Sequence, residues 1–215
     1  MIHVKICGIR RLDDALAALE YGADELGFLV GQRHHSPDFL DAADAAAIIG
    51  ALPPATSSVL VTHLVEPDDI VALATAIGVT TIQLHGDTSP AKATLIKQRL
   101  PHIKTYKAIH VIDAQSIATA RQYVNIVDAI VLDTINVATN QVGGTGHTHD
   151  WSISRQIADQ LPTPVILAGG LNPDNVGEAI RQVKPFGVDV NSGTKGADGF
   201  KDHGRLQRFV DSAKR

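Results

Sequence analysis

Short runs rich in Val, Ile and Leu alternate with longer stretches of helical period along all 215 residues, and this alternation restricts the fold more than any other feature. The runs cover residues 3–6, 25–30, 58–63, 80–84, 104–109, 127–132, 164–167 and 186–190. They are mostly apolar throughout, the pattern of parallel strands covered on both faces. Between them, residues 12–21, 67–77, 90–99, 113–123, 150–161, 173–183 and 204–214 are amphipathic; in the first, Leu12, Ala15, Leu16 and Leu19 share one face. Pro67, Pro90 and Pro173 stand where a helix's first turn tolerates a missing N–H. Eight strand–helix units average about 27 residues each, so a compact (β/α)8 barrel with few insertions is expected, the usual size being roughly 250 residues. A doubly wound open sheet would carry a glycine-rich first turn, and here that turn reads Cys7-Gly8-Ile9-Arg10. The expectation is a single α/β TIM-barrel domain over residues 1–215.

Composition removes several function classes. Hydrophobic residues make up 44% of the chain, which excludes general disorder. No apolar run approaches the roughly 20 residues of a membrane span. A net charge of −4 lacks the basic excess of a nucleic-acid binder. The one cysteine can form neither an internal disulfide nor a Cys-based zinc site. The N-terminus runs straight into a strand with no visible signal peptide, so a cytoplasmic protein is expected.

In such a barrel, chemistry sits at the C-terminal ends of the strands. Cys7 follows the first strand and Asp133 ends the sixth. A thiolate at the pocket mouth can act as a general base. A carboxyl at the rim of a dry barrel has a raised pKa and can donate a proton near neutrality. Glycine-rich loops follow strands six, seven and eight, with Gly144, Gly146, Gly170 and Gly193. Three adjacent loops of this kind predict a phosphate site, because glycine lets backbone N–H groups approach an anion. An acid and a base flanking a phosphate describe sugar-phosphate isomerisation. His34, His35, His63, His85 and His110 fall on the same rim. No H-E-x-x-H spacing accompanies them, so solvated or hydrogen-bonded histidines are expected and no metal.

These motifs resemble the phosphoribosylanthranilate isomerase family of tryptophan biosynthesis. The matching pieces include Val4-Lys5-Ile6-Cys7-Gly8-Ile9, Gln83-Leu84-His85-Gly86-Asp87 and Val131-Leu132-Asp133-Thr134. Gly143-Gly144-Thr145-Gly146 with Asp150-Trp151, Ala168-Gly169-Gly170-Leu171-Asn172-Pro173, Ser192-Gly193 and Lys201-Asp202 complete them. The resemblance implies an Amadori rearrangement without cofactor or metal, on a small phosphorylated ribosyl amine. It carries Cys7 over as general base and Asp133 as general acid. It assigns the phosphate to Gly144, Gly146, Gly170 and Gly193, and makes Asp189 and His85 candidates for orienting sugar and aromatic ring. The chain departs from the family pattern at several points. Asp38 stands where an Arg usually pairs with the anthranilate carboxylate, and Arg33 is the candidate substitute. Thr62-His63-Leu64 replaces an aromatic-plus-Asn pattern, His149 a Phe, and Asn191 and Lys195 a Ser and a Glu. An Asp at position 38 would repel a carboxylate. The alternatives are the same chemistry on a different amine, or a phosphate-ligand binding barrel in which Cys7 and Asp133 are dispensable. The histidine-pathway isomerase on this fold fits less well, since that family uses a pair of aspartates.

Overall fold

The computed structural model describes residues 1–32, 37–136, 141–142 and 148–215. Eight parallel strands close into a barrel: β1 (His3–Ile6), β2 (Glu25–Leu29), β3 (Ser57–Thr62), β4 (Thr81–Leu84), β5 (Lys104–His110), β6 (Ala129–Asp133), β7 (Val165–Leu167) and β8 (Gly187–Val190). Each strand pairs with its sequence neighbour, and β8 closes on β1 with Lys5 opposite Asp189. Around them run α1 (Leu12–Glu20), α2 (Ala42–Gly50), α3 (Pro67–Ile77), α4 (Pro90–Arg99), α5 (Gln115–Arg121), α6 (Trp151–Gln160), α7 (Val176–Val183) and α8 (His203–Lys214). A short antiparallel pair, Ile135–Asn136 with Gln141–Val142, lies in the loop after β6. No described helix is long and apolar enough to cross a membrane.

The expected barrel is the observed one, with two local differences. Helix α2 has no counterpart among the amphipathic segments read from sequence, because Ala42-Ala43-Asp44-Ala45-Ala46-Ala47 offers little contrast between faces. Helix α7 begins at Val176, not at Pro173. Asn172 Oδ1 accepts from the N–H groups of Asp174 and Asn175, so its side chain holds this stretch as a turn. Pro67 and Pro90 do open α3 and α4, and Asp150 caps α6 by accepting from the Ser152 N–H at 2.8 Å.

The strand pleat sorts side chains by parity. Val4, Ile6, Phe28, Leu60, Ile130 and Leu132 belong to one continuous core with the helices. Each such side chain contributes about 2 kcal/mol relative to exposure. The opposite parity forms two small apolar groups, one of Tyr106, Ala108, Val131 and Ile166, the other of Cys7, Val59 and Val61. Polar groups share that parity: Lys5, Glu25, Gln83 and Asp189 are all buried. Each of the charged ones has at least one partner. Lys5 Nζ lies 2.7 Å from Asp189 Oδ2, and Glu25 accepts from the Tyr106 hydroxyl at 2.8 Å. Two residues further along each strand, the same parity reaches the C-terminal rim.

Candidate active site

Stepping by two from the inner layer leads from Lys5 to Cys7, Gln83 to His85, Ala108 to His110, Val131 to Asp133 and Asp189 to Asn191. Cys7 is buried, and its sulfur needs the missing side chain of Gly27 on β2. A Cβ there would lie 2.9 Å from Cys7 Sγ and 3.1 Å from its Cα. Burial pushes the thiol up to about 11; Lys5 and Lys201 pull against that rise, while Asp189 adds to it. Burial also disfavours the Lys5 ammonium, but Asp189 and Cys7 outweigh it and hold Lys5 above the usual lysine range. Lys201 Nζ donates to Asn191 O at 2.9 Å, to Asn191 Oδ1 at 3.1 Å and to Thr194 Oγ1 at 3.3 Å. Its burial brings it down to about 8, opposed by the charge of Cys7.

Asp133 is 8% exposed. Burial raises its carboxyl to about 7, against the pull of the Thr134 N–H, which donates to Oδ1 at 2.7 Å. Asp189 pushes it further up and Lys5 draws it down, so one buried ion pair acts on both Cys7 and Asp133. At neutral pH a substantial fraction of Asp133 carries a proton it can give away. Breaking the ion pair has a predictable cost. Asp189→Asn is expected to destabilise the fold by about 3 kcal/mol, because Lys5 stays buried without its counter-charge. Urea unfolding checks this, and an unchanged midpoint and slope would contradict it.

His63, His85 and His110 converge at the ends of β3, β4 and β5, with ring centroids 5.1 Å apart for the first pair and 5.4 Å for the second. His85 Nε2 lies 3.6 Å from Asp133 Oδ2. Burial, and then the neighbouring charges of His110 and His63, hold His85 well below the usual histidine value. Burial likewise brings His110 down to about 4. Both rings are neutral at physiological pH. Among the described residues no group of three or more His, Cys, Asp or Glu is arranged to hold a metal ion.

Gly170 follows β7, and Gly193 lies in the 3-10 turn Ser192–Thr194 after β8. A Cβ on Gly193 would overlap the Leu171 carbonyl oxygen, so these two loops meet backbone to backbone. Arg33, Gly144 and Gly146 lie outside the described residues. Asp38 is only 7% exposed, and its carboxylate is taken up by Lys195 and by Asn191 Nδ2, the latter at 2.9 Å. The repulsion expected from Asp38 is therefore offset by an adjacent ammonium. Three of the departures read from sequence, at positions 38, 191 and 195, form one network.

A sequence profile of N-(5'-phosphoribosyl)anthranilate isomerase matches residues 4–212. The chain belongs to that family. It is 46% identical over 213 residues to N-(5'-phosphoribosyl)anthranilate isomerase 2 of Methanosarcina mazei, covering 99% of this chain and 94% of the relative. The crystal structure of phosphoribosyl anthranilate isomerase from Thermotoga maritima superposes with a TM-score of 0.88 at 37% identity, over 100% of this chain and 99% of that one. Another phosphoribosyl anthranilate isomerase structure, solved with reduced 1-(o-carboxyphenylamino)-1-deoxyribulose 5-phosphate, gives 0.85 at 36% identity, again over 100% and 99%.

Within this isomerase, sequence reasoning passed over Lys201 and Lys195 as working residues and gave Lys5 no role beyond its nearness to Cys7. Lys5 was detectable: a lysine two positions before Cys7 on an otherwise apolar strand must face the barrel interior and needs a buried anion. Lys195 was not, since its partner Asp38 is 157 residues away.

Proposed function

We propose that this isomerase converts N-(5'-phosphoribosyl)anthranilate to its aminoketose by an Amadori rearrangement, with Asp133 as general acid and Cys7 as general base. The observation that carries this is the buried Lys5–Asp189 pair acting on an acid poised near neutrality and on a thiol across the same barrel mouth. Asp133 gives its proton to the ring oxygen as the C1–O bond breaks and the nitrogen lone pair forms C1=N. Cys7 then removes the C2 proton. The C2–H electrons form C1=C2, and the C1=N pair returns to nitrogen, leaving a neutral enolamine. Protonation at C1 and loss of the C2 hydroxyl proton give the ketone. Each cycle moves one proton from Asp133 to substrate and one from substrate to Cys7.

The loops at Gly170 and Gly193, with Gly144 and Gly146 of the preceding loop, are the proposed phosphate cradle. Asp189 Oδ1 is buried with no hydrogen-bond partner among the described residues, while Oδ2 holds Lys5. That oxygen is the proposed acceptor for a ribose hydroxyl. His85, beside Asp133, and Arg33 complete the proposed aglycone end.

The working form needs Asp133 protonated and Cys7 ionised. With values of about 7 and about 11, this is a minority of the empty enzyme, roughly one molecule in ten thousand between those pH values. A thiolate of that basicity is correspondingly strong, which offsets its scarcity. It follows that kcat/KM rises about tenfold per pH unit up to about pH 7 and is level above it, the break belonging to Asp133. Loss of anthranilate-type fluorescence on freshly prepared N-(5'-phosphoribosyl)anthranilate measures both turnover and this profile. Absence of turnover by the wild type would overturn the substrate assignment.

A further inference from the structure

We propose that His149 is a positioning residue for the acid Asp133, acting through Thr134; this rests on the acid–base reading above. His149 stands just before α6 and ties the end of β6 to α6. Its Nδ1 lies 3.0 Å from Thr134 Oγ1 and its Nε2 lies 2.6 Å from Ser154 Oγ. Ser154 is fully buried on α6, so it is a fixed anchor. Thr134 is the residue after Asp133, and its N–H makes the 2.7 Å bond to Asp133 Oδ1. On its other side Thr134 meets Gly169, whose φ is +78° and whose missing Cβ would overlap both Thr134 Oγ1 and N. Thr134 is thus held between the imidazole, on its side-chain oxygen, and the loop after β7, against both that oxygen and its backbone nitrogen.

The clamp has a chemical consequence. The Thr134 N–H stabilises the Asp133 carboxylate against its acid form. How firmly that N–H is aimed therefore sets how readily Asp133 gives up its proton. The other groups that bear on Asp133 are Asp189, Lys5 and His85, from β8, β1 and the end of β4. None of them touches Thr134 in the bonds described. A phenyl ring would fill the space of His149 but make neither hydrogen bond, and an amide side chain would keep one of them.

The test is the pH dependence of kcat/KM for the wild type, His149→Phe, His149→Gln, Ser154→Ala and Asp133→Asn, with thermal melts as a folding control. In His149→Phe the break near pH 7 is expected to move up by about one unit, with KM unchanged. Ser154→Ala shifts it in the same direction by less, and His149→Gln leaves it near the wild-type position. If His149→Phe does not fold, Ser154→Ala carries the comparison alone. An unmoved break in the folded variants would overturn the positioning role. Asp133→Asn separates the two claims. Full activity there overturns the acid assignment itself, whereas an inactive Asp133→Asn with an unmoved break in the other variants overturns only the role of His149.

Discussion

Asp133→Asn is expected to lower kcat by about 10² to 10⁴, because an amide of the same shape has no proton to give to the ring oxygen. The substitution keeps an acceptor for the Thr134 N–H, so binding and fold are expected to survive it. It also carries a stability signature set by the burial of the carboxyl. The folded-state value of Asp133 lies above the ordinary carboxyl value, at about 7 against 3.8. The folded state therefore holds the proton more tightly than the unfolded chain does. That stabilising contribution is fully present below pH 3.8 and is lost as pH rises through about 7. Above pH 7 the wild type buries an anion at this position and the amide variant does not. The variant is therefore expected to be more stable there by a few kcal/mol, about 4 as an upper figure. Urea titrations of both proteins at pH 5 and pH 8 check the sign. Equal stability differences at the two pH values would contradict it.

Cys7→Ser is expected to lower activity about 10³-fold, within the range given for Asp133→Asn, since a hydroxyl ionises far less readily than a thiol. The contact with Gly27 accepts the smaller oxygen without rearrangement, so the loss reads out chemistry. Lys5 and Lys201 stay in place, and they oppose the effect of burial on whatever group stands at position 7. A phosphate-binding barrel without catalysis would leave both variants indistinguishable from the wild type in ligand affinity and with nothing to lose in rate.

The barrel was legible in the sequence because its signal is repeated eight times and each repeat obeys local rules. Apolar runs bounded by proline and aspartate caps need no knowledge of distant residues, and Pro67, Pro90 and Asp150 act where they stand. The placement of Cys7, His85 and Asp133 at strand ends was legible for a related reason: a strand end is a definite place in this architecture, and the roles proposed for them start from that place. What stayed hidden depends on partners far apart in the chain. Asp38 reads alone as a repulsive charge, and only folding shows Lys195 and Asn191 closing on it. His149 reads alone as a substituted aromatic, and only folding supplies Thr134 and Ser154. Helix α2 was counted among the eight units but not delimited, since a nearly uniform run of alanine carries no facial contrast.

The departures at 38, 191 and 195 form one charge-compensated network. With Asp38 engaged by Lys195, the rim presents a compensated pair and not a bare anion. Asn191 and Lys195 flank the turn after β8 that carries Gly193, so this network borders that loop.

The most direct test of the division of labour between Cys7 and Asp133 uses substrate carrying deuterium at ribose C2. If Cys7 breaks the C2–H bond, Cys7→Ser makes that step limiting, and the residual turnover shows a primary isotope effect larger than the wild type's. If Asp133 drives ring opening, Asp133→Asn makes the earlier step limiting, and the effect disappears. A primary effect that persists in Asp133→Asn and is absent from Cys7→Ser would contradict the account.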